Sequence, residues 1–260
     1  MATSRPLVIG NWKMNLDFVE AVHVGQQIGV MLKNRPAEHT DVVVAPPFVD
    51  LRSVTSIVQS ERIAVSVGAQ HVSAHENGAH TGEVSVSMLK RLGVEWVIVG
   101  HSERRTMYAM SDEVVGATLR AVLRGGLRAV LCVGEDLSVR DRDGHDDFVR
   151  DQLVSALRGL DEGFNELITV AYEPIWAIGT GLSASNEQVQ HMMTHIREVL
   201  TGLSIEGCRV LYGGSVNAEN AEGLLVAGGV DGFLVGGASL RAESFLAVVH
   251  ASNDCYALKR

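Results

Sequence analysis

Eight short runs rich in β-branched residues recur along the 260-residue chain, each parted from the next by a helix-like stretch. They are LVIGN (7–11), DVVVA (41–45), IAVSV (63–67), WVIVG (96–100), RAVLCV (128–133), ITVAY (168–172), RVLY (209–212) and GFLVG (232–236). Each is almost continuously apolar, as strands buried on both faces are. The stretches between them are amphipathic, as in FVEAVHVGQQIGVML (18–32) and NEQVQHMMTHIREVL (186–200). Strict alternation of strand and helix implies a parallel sheet with right-handed crossovers. Eight such units in 260 residues match a closed (β/α)8 barrel, which typically takes about 250. An open doubly wound sheet is the alternative, and it would want GxGxxG after the first strand, where this chain has GNWKMN. The expected fold is therefore an α/β barrel, with residues 1–260 as one domain because no linker rich in Pro, Ser or charge interrupts the series.

Barrels of this kind keep their chemistry where the strands end. Those ends carry Asn11 and Lys13, Gln70, His101, Glu135, Glu173, Gly213–Ser215 and Gly236–Gly237. On a period of two, Thr169, Ala171 and Glu173 share a strand face, which carries the carboxylate to the rim if that face points inward. Pro174 then restricts the backbone of Glu173, as befits a positioned base more than a surface glutamate. His101 shares parity with Val97 and Val99 and is expected to point inward too. Ser102 could cap a short helix opening at Glu103, whose N-terminal field would lower the imidazole pKa and keep it a neutral donor. Asn11 and Lys13, two apart, are expected on one face; a lysine at such a rim wants an anion, with Glu103 as its resting partner.

Two further features complete the set. IWAIGTG after Glu173 reads as a lid, spanning Pro174, Ile175, Trp176, Ala177, Ile178, Gly179 and Thr180, that would exclude water from a reaction beneath it. LYGGSVN (211–217) and LVGGAS (234–239) follow the seventh and eighth runs, where barrels often bind phosphate through backbone amides. A base, a neutral electrophile, a cation, a phosphate cradle and a lid suit proton transfer beside the carbonyl of a small phosphorylated molecule.

Other function classes find little support. A formal charge of −9 with no basic run argues against a nucleic-acid partner. Three cysteines without CxxC spacing suggest neither a disulfide framework nor a zinc site, and fit a reducing cytosol; Cys132 reads as a core thiol. The chain is expected to need no membrane, no metal and no cofactor. HVSAHENGAH, with His71, His75 and His80, matches no zinc spacing and reads as a loop, and RDRDGHDD (140–147) as a solvated connection.

GNWKMN, GAQ…TGE, GHSERR, CVGE, AYEPIWAIGTG, YGGSVN and LVGGASL, in that order over nearly the whole chain, resemble the signature blocks of the triosephosphate isomerase family. The resemblance implies a TIM barrel in the cytoplasm, acting in glycolysis and gluconeogenesis. It implies interconversion of dihydroxyacetone phosphate and D-glyceraldehyde 3-phosphate without a cofactor. By the family's known pattern of glutamate base, neutral histidine and closing loop, Glu173 would be the base and His101 the electrophile. Lys13 and Asn11 would contact substrate, with Glu103 behind Lys13, and Gly179, Ser215, Gly236 and Gly237 would bind phosphate. Trp176 would move with the lid near Glu135. A homodimer is implied as well, with Gln70, His80 and Thr81 on the loop 68–83 at its interface and Thr81 near Asn11 and Lys13 of the partner subunit. Two departures fall in this region: His80 stands where Phe or Tyr is common, and Ala109–Met110 replaces a usual Gly-Glu. An isomerase of a four-carbon ketose phosphate or a non-catalytic phosphate-binding barrel would be the alternatives; an aldolase would want lysine where Glu173 stands.

Overall fold

In the computed structural model, which describes residues 5–178 and 184–258, eight parallel strands close on themselves in chain order. They are β1 (Leu7–Asn11), β2 (Asp41–Ala45), β3 (Ser66–Ala69), β4 (Trp96–Val99), β5 (Arg128–Val133), β6 (Ile168–Tyr172), β7 (Arg209–Tyr212) and β8 (Gly232–Val235). Pairing of β1 with both β2 and β8 removes the free edges of the sheet. Among the described residues the helices are α1 (Phe18–Asn34), α2 (Leu51–Ser60), α3 (Val86–Arg91), α4 (Ser102–Met107), α5 (Asp112–Arg124), α6 (Leu137–Arg140), α7 (His145–Leu157), α8 (Asn186–Gly202), α9 (Ala218–Val226) and α10 (Ala242–Ala257). None of them is long and apolar enough to cross a membrane.

The strands are apolar throughout because alternate residues serve two cores. Leu7, Ile9, Trp96, Ile98, Ala171 and Leu234 fill the barrel interior. Val8, Val97, Val99 and Val170 face outward into the layer shared with the helices. Each fully buried side chain of this size contributes roughly 1.5–3 kcal/mol of transfer free energy. Helix starts are fixed locally. Asp17 Oδ1 accepts from the Val19 and Glu20 N–H groups at 2.9 and 3.0 Å, while Glu20 accepts from the Asp17 N–H at 2.9 Å. Ser185 with Gln188, and Asn217 with Asn220, repeat this reciprocal box ahead of α8 and α9.

β4 and β8 each end one residue before the expected run, and one strand departs further. IAVSV (63–67) was expected to be the third strand, but β3 runs over Ser66–Ala69. Ser66 and Val67 pair with Val43 and Val44, and Gly68 pairs with Trp96. A side chain at Gly68 would sit 3.3 Å from the Trp96 Cβ, so the bulk at this level comes from the neighbouring strand and leaves no apolar signal in β3.

Candidate active site

Most of the polar strand ends gather around one cavity of about 350 Å3, lined by Asn11, Lys13, His101, Glu173, Ile178, Gly213, Ser215, Gly236 and Gly237 among others, while Gln70 and the buried Glu135 lie outside its lining. A larger cavity, about 590 Å3, opens at the opposite end of the barrel beside Arg5, Trp96 and Arg209, away from these groups. Size therefore does not pick out the chemical site; the convergence of acid, imidazole and lysine does.

Glu173 reaches the rim by strand geometry. Ala171 belongs to the interior set, so the next residue of that parity leaves β6 pointing over the barrel mouth. Its carboxylate is 2% exposed; Oε2 accepts from the Ser102 N–H at 2.8 Å and Oε1 lies 2.9 Å from His101 Nε2. The backbone beneath is set by Gly134. A Cβ there would fall 1.8 Å from the Glu173 carbonyl oxygen. Gly134→Ala must therefore push Glu173 off its perch, and overpacking of this kind costs about 1–3 kcal/mol or more. Turnover and melting temperature of the purified variant are both expected to fall; wild-type values for both would contradict the contact.

His101 arrives by another route than strand parity. Trp96 and Ile98 face the interior, whereas Val97 and Val99 face the helices. Parity with Val99 would have sent His101 outward. Gly100 takes φ +70°, a left-handed conformation open to glycine, and turns the chain so that the imidazole enters the site. The Glu103 N–H then points at His101 Nδ1 at 3.2 Å, which leaves Nε2 to carry the proton toward Glu173.

The expectation of a lowered His101 pKa needs correction for this resting state. Burial pushes the imidazole down, but the charge and hydrogen bond of Glu173 carry it above its ordinary value. In return, burial pushes Glu173 up, while His101, the Ser102 amide and Lys13 bring it below the usual carboxylate range. The raised value of His101 thus depends on the Glu173 carboxylate staying beside it. Burial, the Lys13 charge and the Glu103 N–H on Nδ1 act the other way, toward the neutral imidazole. Cys132 packs inside the barrel, and burial with the nearby Glu173 charge raises its thiol well above the ordinary range, as suits an inert core residue.

Lys13 sits in the left-handed region at φ +52°. Its N–H is held by Asn11 Oδ1 at 3.0 Å and its carbonyl by Gln70 Nε2 at 2.8 Å, while Nζ donates to Glu103 Oε1 at 2.6 Å. Gln70 also donates to the Ala45 carbonyl at 2.9 Å, so within the chain it clamps the turn that presents the lysine. Sequence reasoning found Gln70 by its place on the rim but missed this clamp.

The described part of the expected lid is anchored at its start. Pro174 is buried, and Ile175–Ala177 make a single 3-10 turn. Trp176 Nε1 donates to the buried Glu135 carboxylate at 2.8 Å, as does the Tyr172 hydroxyl at 3.0 Å. Ser215 Oγ donates to the Ala177 carbonyl at 3.2 Å, and Asn220 Nδ2 to the Ser215 carbonyl at 3.0 Å, a support that the sequence reading missed. Gly179 and Thr180 lie outside the described residues. Gly236 borders Lys13, with a Cβ there 3.5 Å from Lys13 Cε, and Gly237 is exposed beside it.

His80 and Thr81 are exposed on the loop between β3 and α3, where His75 and His80 stack with ring centroids 4.0 Å apart. The Ala109–Met110 pair lies nearby, behind the same site rim. Ala109 adopts φ +50°, Met110 is buried, and among the described residues the buried Arg104 Nε has no hydrogen-bond partner.

A family model described as triosephosphate isomerase matches residues 6–252. Proteins named triosephosphate isomerase from Corynebacterium glutamicum and Rhodococcus jostii are 46% and 45% identical to this chain over 245 residues. Each alignment covers 93% of this chain, with 95% and 94% of the respective relative. The protein of that name from Saccharopolyspora erythraea is 46% identical over 93% of this chain and 94% of its own length.

Proposed function

The chain belongs to the triosephosphate isomerase family, and from that premise we propose which of its residues carry the reaction. The activity is the interconversion of dihydroxyacetone phosphate and D-glyceraldehyde 3-phosphate through an enediolate. Glu173 removes the proton from the carbon beside the carbonyl and returns it to the neighbouring carbon. To do so it swings from the Ser102 N–H and His101 toward the substrate. The missing side chain at Gly213 leaves room, since a Cβ there would stand 3.0 Å from Glu173 Cγ. His101 Nε2–H and Lys13 stabilise the developing enediolate oxygens, and Asn11 helps hold the substrate. Ser215, Gly236, Gly237 and the lid residue Gly179 take the phosphate, and closure over Trp176 keeps water from an intermediate that would otherwise lose phosphate. Residues 1–260 act as one barrel domain.

The observation that carries these assignments is the meeting of Glu173, His101 and Lys13 in one cavity of about 350 Å3. Turnover of D-glyceraldehyde 3-phosphate against a four-carbon ketose phosphate tests them. Fast triose turnover with slow tetrose turnover is expected; a preference for the tetrose would keep the chemistry and change the substrate.

The protein works as a homodimer joined through the loop bearing Gln70, His80 and Thr81, and resides in the cytoplasm. The three thiols, free among the described residues, suit a reducing compartment. On this loop the His75 and His80 rings stack with centroids 4.0 Å apart. Sedimentation of the full chain is expected to show a dimer. A monomer at micromolar concentration would reject the dimer.

A further inference from the structure

We propose that His145, Asp146 and His191 form a binding site for a divalent transition cation of the zinc and cobalt class, on the face where α7 meets α8. RDRDGHDD looks like a plain charged connection in sequence because its partner histidines lie far along the chain. The fold brings them together. His191 Nε2 stands 2.9 and 3.0 Å from the two Asp146 carboxylate oxygens, and His145 Nε2 stands 3.8 Å from Oδ1. Ligand atoms of all three residues lie within 4.8 Å of one another. A tetrahedral zinc with its usual bond lengths spaces its ligands about 3.3 Å apart, so small rotations of the side chains suffice.

Several features favour an ion over a simple hydrogen bond between helices. The donor set, two imidazoles and a carboxylate, is the one such cations take with a fourth position left for water. His145 is held at 14% exposure, whereas His191 at 53% leaves the site open to solvent. His195, one turn beyond His191, lies with Nε2 2.9 Å from the Asp146 carbonyl oxygen and fixes the main chain behind the carboxylate. Arg150, the nearby cation that could compete, pairs with Asp147 and Asp151 instead. Asp146 and Asp147 in the first turn of α7 also offset the positive end of that helix.

The test is a titration of the full chain, first stripped with a chelator. Zn2+ is followed by equilibrium dialysis and Co2+ by its visible absorption. Saturable binding of about one ion per chain is expected, weakened about tenfold or more in His191→Ala and Asp146→Asn. Binding in His75→Ala/His80→Ala is expected to match wild type. His145→Gln gives a second, milder change should either variant fold poorly, and isomerase turnover of His191→Ala at the wild-type rate reports an intact barrel. Absence of saturable binding overturns the site. So does binding that survives His191→Ala and His145→Gln but is lost with His75 and His80.

Discussion

Glu173→Gln is expected to lower kcat by about 10²–10⁴-fold, the range that a positioned general base supplies. The amide keeps the size of the side chain, and its oxygen can still accept from the Ser102 N–H that now holds Oε2 at 2.8 Å. What it loses is the ability to take and return a proton. KM should move little, because Glu173 contributes to the transition state more than to holding the phosphate. Steady-state turnover with the melting temperature of the variant checks both parts. A rise in KM with kcat unchanged would make Glu173 a binding residue.

The second large effect is expected at His101. His101→Gln should reduce kcat by about 10²–10³-fold, the usual loss when one preorganised donor to a developing oxyanion is removed. The Glu103 N–H fixes the imidazole through Nδ1, so Nε2–H is aimed by the backbone before substrate arrives. A glutamine amide has no such anchor. The substitution also acts on the base. Burial raises Glu173 and His101 opposes that, so its removal should shift the acid limb of kcat/KM to higher pH. The substrate phosphate titrates near pH 6 and must be subtracted using wild-type data. An acid limb that stays put while kcat falls would separate His101 from the ionisation of Glu173.

The same pair ties stability to pH. Glu173 is lowered in the folded state, so its contribution is present above the ordinary carboxylate pKa and fades as pH falls through the lowered value. His101 is raised, so its contribution is complete below about 6.5 and fades as pH rises through the folded value. Their attraction therefore helps the fold most between those two limits.

Much of the barrel was legible in the sequence because a strand buried on both faces leaves an unbroken apolar run. Leu7–Asn11 and Ile168–Tyr172 are read at both ends without error. β3 was misplaced where the interior is filled from the neighbouring strand by Trp96, so that Gly68 carries no hydrophobic signal. At the site, alternation leads correctly from Ala171 to Glu173, because the extended backbone continues to the base. It fails at His101, where one left-handed glycine resets the direction of the chain. Lys13 likewise owes its pose to a left-handed turn clamped by Asn11 and Gln70, which no spacing rule reveals. Contacts between distant segments, such as Gln70 on the Lys13 carbonyl or His191 on Asp146, appear only once the helices are packed.

The most direct test of Glu173 as the proton carrier is hydrogen exchange at the substrate. Dihydroxyacetone phosphate is incubated in deuterium oxide with wild type or Glu173→Gln, and loss of the proton beside the carbonyl is followed by NMR. Exchange is expected with the wild-type protein and is expected to fall by about the same 10²–10⁴-fold as kcat in the variant. Exchange at the wild-type rate in Glu173→Gln would place the base elsewhere in the barrel and contradict the mechanism.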